Sequence, residues 1–310
     1  MIRILNDLKA PRSLGRPVAT IGTFDGVHKG HQRVLAELRR WADELGTRAL
    51  VVTFNVSPKT LTRGERAPCI TSLERRLVLF ERLGIDACAV LRFDKRLSRV
   101  SARDFVVKML CGRLRVQGVL VGFNCRFGRN AEGDYEFLKE LEAEGLCKAR
   151  QVARPAVLEG RAVSSSAIRE AIEAGRLRRA ERMLGRPVTL LGTVVHGRGR
   201  GSRLGFPTAN LDLHHEVKPP SGVYVTWARV GDRWLPALTS IGRQATFPHP
   251  LREDMVEVYI AGLRRELYGK DLEVRFVRKL REQKRVSSGE ELVEQMKRDL
   301  GALKRCRARS

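Results

Sequence analysis

The first 185 residues alternate short apolar runs with amphipathic stretches. Residues 18–22 (VATIG) form an apolar run ending in glycine. After it, Val34, Leu38, Trp41 and Leu45 recur at spacings of three and four, the period of a helix with one buried face. Residues 49–54 (ALVVTF) read as a buried strand, and 71–74 (TSLE) as a capping box that opens the next helix. A strand over 86–93 (DACAVLRF), a helix from about 101 to 114 and a strand over 118–123 (GVLVGF) follow, then a helix near 134–144 and a strand near 148–152. Strands separated by helices imply right-handed crossovers and a parallel sheet covered on both faces. The expected architecture is therefore a doubly wound α/β domain, with any ligand at the carboxyl ends of its strands.

From Gly185 the pattern changes. VTLLGTVV, GVYVTWARV, RWLPALTSI, MVEVYIAGL and LEVRFVRKL are strand-like runs separated by turn residues with no helix between them, which is the pattern of an antiparallel barrel or sandwich. A last helix is expected from about 288 to 303, opened by the capping pattern SGEE, before a frayed basic tail, KRCRARS. The boundary lies at 185–187, giving domains 1–185 and 186–305. A chain of 310 residues is long enough for two such cores.

No apolar run approaches the ~20 residues that span a bilayer, and the N-terminus lacks the apolar stretch of a secretory signal. Six scattered cysteines without a CxxC pair fit a reduced cytoplasmic protein better than a disulfide scaffold or zinc site. The net charge of +24 points to an anionic partner, nucleic acid or a phosphorylated small molecule. Of the 59 basic residues, 46 are Arg, which also fits a general bias toward Arg codons. Aromatic content of 6%, with no basic-aromatic stripe, argues against a single-strand nucleic-acid platform. No specific nucleic acid or membrane is expected as a partner, and an oligomer is compatible with the sequence.

The most informative segment is GTFDGVHKGH, residues 22–31, between a strand and a helix. Its glycines permit close approach of backbone to phosphate, and a helix N-terminus presents free N–H groups to an anion. His28 and His31, three apart, share a face at the helix start, where two imidazoles suit charge developing in phosphoryl or nucleotidyl transfer. In the second half, GTVVHGRGRGSRLGFPTANL (192–211) reads as a strand, a glycine-rich loop bearing Arg198, Arg200 and Arg203, and a fixed turn. Thr208 and Asn210 place two hard oxygen ligands on one side of an extended chain, suited to Mg²⁺.

The first segment resembles the HxGH signature of the nucleotidyltransferase superfamily, and more widely the FAD synthetase module of prokaryotic bifunctional riboflavin kinase/FMN adenylyltransferases. TFNVSP (53–58) stands where that family has TFxPHP, GFNCRFG (122–128) resembles G-x-[DN]-F-x-FG, and SSSAIR (164–169) resembles SSTxIR. The second half is similar to a riboflavin kinase, with GxVxxGxxxGRxLGFPTANL followed by PxxGVY, here PPSGVY (219–224). The resemblance covers almost the whole chain. It implies a Rossmann-like N-terminal domain and a C-terminal β-barrel.

Carried over residue by residue, it implies that Gly22, Phe24, His28, Gly30 and His31 hold ATP phosphates and stabilise the transition state, with His28 and His31 catalytic. Ser164, Ser165, Ser166 and Arg169 would hold phosphates, and Asn124 would contact flavin phosphate or metal. In the kinase module Gly197, Gly205, Pro207, Thr208 and Asn210 would bind Mg-ATP, with Thr208 and Asn210 as metal ligands. Glu257 would accept the proton of the ribityl 5′-hydroxyl, and Arg281 would face the flavin. The implied partners are ATP as co-substrate, riboflavin and FMN, with Mg²⁺ as cofactor.

The chain departs from the family at several positions. Val56 and Ser57 replace proline and histidine of TFxPHP, and Cys125 replaces the aromatic of the G-x-[DN]-F element. Gly201-Ser202 replaces a glycine-arginine pair. NIGxRPTF is SIGRQATF here, which puts Ser240, Gln244 and Ala245 in place of Asn, Arg and Pro. VEVHLLDF is VEVYIAGL, with Tyr259 and Gly262 for His and Asp. These changes define an alternative, a lone adenylyltransferase with an impaired kinase module. His214, His215 and Glu216 read as a polar loop rather than a metal site, and Asp94, Asp104 and Asp134 as cap or surface residues.

Overall fold

The computed structural model describes residues 2–5, 11–55, 68–152, 154–197, 204–242, 255–263, 265–284 and 288–307. Val56, Ser57, Arg198, Arg200, Gly201, Ser202, Arg203, Gln244 and Ala245 lie outside them. By contacts the chain divides into two compact units, Met1–Ala67 with Leu73–Ser165, and Pro68–Ser72 with Ser166–Ser310.

The first unit is built on a six-stranded, wholly parallel sheet. Its strands are β1 (Arg3–Leu5), β2 (Val18–Ile21), β3 (Ala49–Phe54), β4 (Ala87–Leu91), β5 (Gly118–Gly122) and β6 (Lys148–Val152), in the spatial order β1-β4-β3-β2-β5-β6. β2 is buried along its whole length and β3 along all but its last residue, as expected when both faces are covered. Helices α1 (Lys29–Glu44), α2 (Leu73–Arg82), α3 (Ala102–Asp104, continuing as a π-helical stretch Phe105–Arg113) and α4 (Tyr135–Ala143) supply the cover.

The predicted helix over 101–114 is thus present, but its wide turns are not readable from an apolar period. Asp134 caps α4, accepting the N–H of Phe137 at 3.0 Å. A two-stranded ribbon, β7 (Val157–Leu158) with β8 (Arg161–Ala162), leads to helix α5 (Ser165–Glu173), and α6 (Leu177–Leu184) ends at left-handed Gly185, φ 72°. The strand order reverses between β2 and β5, which run to opposite sides of the sheet. That is the crevice in which open α/β sheets bind ligands.

Strands β9 (Thr189–Val195), β10 (Thr208–Leu213), β11 (Gly222–Val230), β12 (Arg233–Gly242), β13 (Met255–Ile260) and β14 (Asp271–Arg281) of the second unit close an antiparallel barrel in the order β10-β13-β12-β11-β14-β9. Buried Thr226 and Thr239 satisfy each other at 2.8 Å, and the fully buried Tyr224 gives its hydroxyl proton to the Pro220 carbonyl. The last helix, α7 (Gly289–Arg307), starts as its capping pattern predicts, with Ser288 Oγ accepting the N–H of Glu291 at 3.2 Å. It continues to Arg307, into the tail expected to fray.

Glu216, 4% exposed, accepts the N–H groups of Ser72 (2.9 Å) and Leu191 (2.6 Å), while the Cys69 N–H donates to the His215 carbonyl and the Cys69 carbonyl accepts from the Val217 N–H. The carboxylate is therefore spent on backbone donors, in keeping with a polar loop. Among the described residues no group of three or more His, Cys, Asp or Glu could hold a metal.

At the start of β5 the sheet has no room for a side chain. A Cβ on Gly118 would stand 2.4 Å from the Trp41 ring and 3.1 Å from the Lys148 Cβ. Gly118→Ala should lower stability by about 1–3 kcal/mol through overpacking, read as a lower Tm by calorimetry. Trp41→Phe removes the ring atoms concerned, so the double variant should lose less than the sum of the two single ones. Strict additivity would contradict the contact.

Candidate active sites

The first site grows from the carboxyl end of β2. Gly22 extends the strand by donating to the Val52 carbonyl at 3.1 Å. Phe24 (φ 48°) and Val27 (φ 38°) then take left-handed conformations that are costly for side chains of this size. Burial holds them there, since both are at most 3% exposed. The Phe24 ring meets Phe80 edge-on at 5.7 Å and His31 at 5.2 Å. A Cβ on Gly22 would press on that ring at 3.1 Å.

His28 is the N-cap of α1, with its Nδ1 accepting the His31 N–H at 3.3 Å. The two imidazoles stack with centroids 3.6 Å apart and planes 19° from parallel. A Cβ on Gly30 would come within 3.0 Å of the His28 ring, so the glycine of HxGH is what lets the first histidine fold back and cap. His31 Nδ1 is buried and has no hydrogen-bond partner among the described residues. Burial first, then His28 and Arg76, holds the His31 pKa well below that of an ordinary histidine. His31 therefore stands at the helix start as a neutral imidazole with an unsatisfied polar atom.

Ser165, the first residue of α5, donates to the Asp25 carbonyl at 2.8 Å, which ties Ser165 to the GTFDG turn. Ser164 precedes the helix, and Ser166 and Arg169 share a face of its first turn. Asn124 is exposed just past β5, on the far side of the crevice from β3. Cys125 turns inward toward the Ile21 carbonyl, and burial pushes its thiol pKa up to about 11. The change from an aromatic at this position is one of packing beneath the site.

Arg76 escaped the sequence reading. It is 7% exposed on α2 and donates to the Thr23 carbonyl, to Thr53 Oγ1 (3.0 Å) and to the Phe54 carbonyl (3.1 Å). The available signal was an arginine on the apolar stripe, three and four residues before the buried Leu79 and Phe80.

The second site lies on the outside of the barrel. Along β13, Val256, Val258 and Ile260 are buried while Glu257 and Tyr259 alternate outward. Register places Asn210 opposite Glu257, Thr208 opposite Tyr259, and Ser240 on the other side of Glu257. Residues directly paired across strands share a face, so Thr208, Asn210, Glu257 and Ser240 converge.

Asn210 is 8% exposed, and its Oδ1 is buried with no partner among the described residues. A Cβ on Gly197 would overlap the Asn210 amide, at 1.9 Å from Nδ2, so only glycine fits over it. An orphaned buried carbonyl oxygen beside a threonine hydroxyl is a donor set that fits a hard cation. Pro207 leads into β10, and Gly205 makes the turn before it at φ 81°. His196, next to Gly197, stacks on Tyr268 at 3.8 Å, a contact that no motif announced.

Arg281 forms a close ion pair with Asp299 of α7: Nη2 to Oδ2 2.7 Å, and Nε 3.1 Å from both oxygens. Asp299 is 3% exposed and also accepts from Gln295 at 2.9 Å. Arg281 therefore pins the last helix to the barrel.

Comparison with known proteins matches both halves of the chain to families. Residues 10–167 match the family model described as FAD synthetase, and residues 184–307 match the one described as riboflavin kinase. A bifunctional riboflavin kinase/FMN adenylyltransferase of Pseudomonas fluorescens is 36% identical over 303 residues, 97% of this chain and 96% of that protein. One of Escherichia coli (strain K12) is 34% identical, covering 91% and 90%. Among solved structures, one titled as a macrolide-efflux protein from Streptococcus pneumoniae superposes with a TM-score of 0.83 at 28% identity, covering 98% of this chain and 99% of that one. No described helix of this chain is long and apolar enough to cross a membrane. With both family models matched in order and full-length relatives above 30% identity, the chain belongs to the bifunctional riboflavin kinase/FMN adenylyltransferase family.

Proposed function

We propose that the chain phosphorylates riboflavin to FMN on the barrel and adenylylates FMN to FAD on the parallel sheet, each with ATP. The observation that carries this is that each module's motif folds into a built site. One is the stacked His28–His31 pair at the strand-order reversal, the other the Asn210–Glu257 pair across β10 and β13. The alternative of a lone adenylyltransferase is not supported, because the kinase family model matches the whole second module and the relatives are named as bifunctional.

In the adenylyl step an oxygen of the FMN phosphate attacks the α-phosphorus of ATP, and the bond to the pyrophosphate oxygen breaks. The protein need only position the reactants and meet the developing charge. His28 and the neutral His31 donate to phosphate oxygens. The glycine turn at Gly22, Phe24 and Gly30 shapes the cradle, and Ser164, Ser165, Ser166 and Arg169 hold phosphates. Asn124 faces the flavin phosphate.

On the barrel, Glu257 takes the proton of the ribityl 5′-hydroxyl as that oxygen attacks the γ-phosphorus and ADP leaves. Gly197, Gly205 and Pro207 shape the nucleotide loop. Thr208 and Asn210 would hold Mg²⁺, which when bound neutralises phosphate charge. Arg281, fixed by Asp299, stands on the flavin side. The functional modules are taken as 1–185 and 186–305, the location as the cytoplasm, and DNA affinity as incidental to the positive charge.

Chromatography of flavins after incubation with ATP, Mg²⁺ and either riboflavin or FMN tests the reading. FMN and FAD should both form from riboflavin, and FAD from supplied FMN. His28→Ala and His31→Ala should each cut FAD formation ~10²-fold or more and leave riboflavin phosphorylation nearly intact. Glu257→Gln should do the reverse, with a loss of ~10²–10⁴-fold. A loss that appears in the other step would reverse the module assignment. Asn210→Ala should raise the Mg²⁺ and ATP requirement of the kinase step alone; unchanged kinase kinetics would remove Asn210 from the metal site.

A further inference from the structure

Arg76 is a cation buried beneath the first site, on a helix that carries none of the recognised motifs. Its guanidinium joins the carboxyl ends of two strands. Nη1 reaches the Thr23 carbonyl just past β2 and the Thr53 hydroxyl in β3, and Nη2 reaches the Phe54 carbonyl. Thr53, fully buried, closes the figure by donating to the Thr23 carbonyl at 3.3 Å. The next residue is Phe24, whose left-handed turn carries the ring that packs edge-on against His31. Arg76 thus grips the backbone at the point where the chain leaves the sheet for the histidine pair. A planar fork can hold three acceptors in fixed directions, which an ammonium cannot.

We propose that Arg76 is a positioning residue for adenylyl transfer, clamping β2 to β3 so that the Phe24 turn and His31 stand in register with the nucleotide, and placing a fixed positive charge behind the imidazole pair. The inference rests on the reading of this site as the adenylyl-transfer centre. The charged and titratable groups that bear on His31 are His28, stacked on it from the start of α1, and Arg76 from α2. Burial first, then these two groups, hold its pKa well below the ordinary range, so it meets phosphate as a hydrogen-bond donor rather than as a competing cation. Removing the Arg76 charge must raise the pH at which His31 protonates. Replacing the fork but keeping the charge must disturb geometry alone.

The test uses the full-length chain, with riboflavin phosphorylation as the internal control for folding. Arg76→Lys should lower kcat for FAD formation by about 10- to 100-fold, as expected for a misplaced reacting group, with little change in KM for ATP or FMN. Its His31 titration, followed by NMR in the ligand-free protein, should stay near that of the unmodified chain. Arg76→Met should lower kcat similarly and move the His31 midpoint up, while burial and His28 still hold it below the ordinary histidine range, and carry the acid limb of the rate profile with it.

An unmoved His31 midpoint in Arg76→Met, or unmodified kcat in Arg76→Lys, overturns the proposal. Should Arg76→Met fail to fold, Thr53→Val decides. It removes one acceptor and keeps the charge, so a lower kcat at constant KM supports the clamp and unmodified kinetics overturn it. If the unmodified chain makes no FAD from FMN, the adenylyl-transfer reading itself fails, while the His31 titration still reports separately on Arg76.

Discussion

The first candidate site depends on the lateral pairing that fixes the carboxyl end of β2. β2 lies between β3 and β5, at the one place where the parallel order turns back. Everything placed there descends from its last residues. Gly22 prolongs the strand against Val52, Phe24 turns left-handed, and His28 stops the chain from wandering by capping α1. Left-handed phenylalanine and valine cost of order 1–3 kcal/mol each, and they persist because the rings and methyls they expose to the core are buried. A sheet edge could not hold such a turn. A central strand, hydrogen-bonded on both sides, can.

The barrel handles the same triphosphate chemistry by another route. It has no helix N-terminus at its site and no histidine pair. Its candidate site gathers oxygen-bearing side chains from extended chain, Thr208 and Asn210 in β10 and the Glu257 carboxylate on the neighbouring strand. The pleat makes this possible, because every second side chain on adjacent strands meets on one face. Outward placement on a closed barrel leaves the interior free to be a conventional core, with Val256, Val258 and Ile260 facing inward. Stability and chemistry are thereby divided between the two faces of one strand.

The legibility of each part follows from the range of the interaction behind it. Local patterns were readable. The apolar runs became strands almost to the residue, SGEE became a capped helix, and the glycine of HxGH has a steric reason within two residues of itself. Interactions between distant segments were not. Arg76 reaches across 53 and 23 positions to Thr23 and Thr53, and Arg281 across 18 to Asp299. The π-helical turns of α3 bury Phe105, Val106 and Leu110, a spacing that the wide turns take out of the 3.6-residue period. Glu216 lies beside two histidines in sequence yet spends its carboxylate on the backbone of Ser72 and Leu191.

The departures from the family pattern can be judged by the same measure. Cys125 faces the carbonyl of Ile21 in the crevice floor, and Tyr259 joins Val225, Leu238 and Leu303 in the cluster under α7. Gly262, where the family has an acid, turns the chain at φ 77° with open space around it, a conformation that suits glycine best. Ser240 keeps a polar group on the Glu257 face and accepts from Gln283. Each of these residues meets the demand of its own backbone or core position without touching the Asn210 oxygen, the Gly197 cradle or the histidine stack. At these four described positions drift has therefore fallen on supports, where a change of packing can be absorbed, whereas Ser57, Ser202 and Gln244, which stand for a histidine and two arginines of the family pattern, lie outside the described residues.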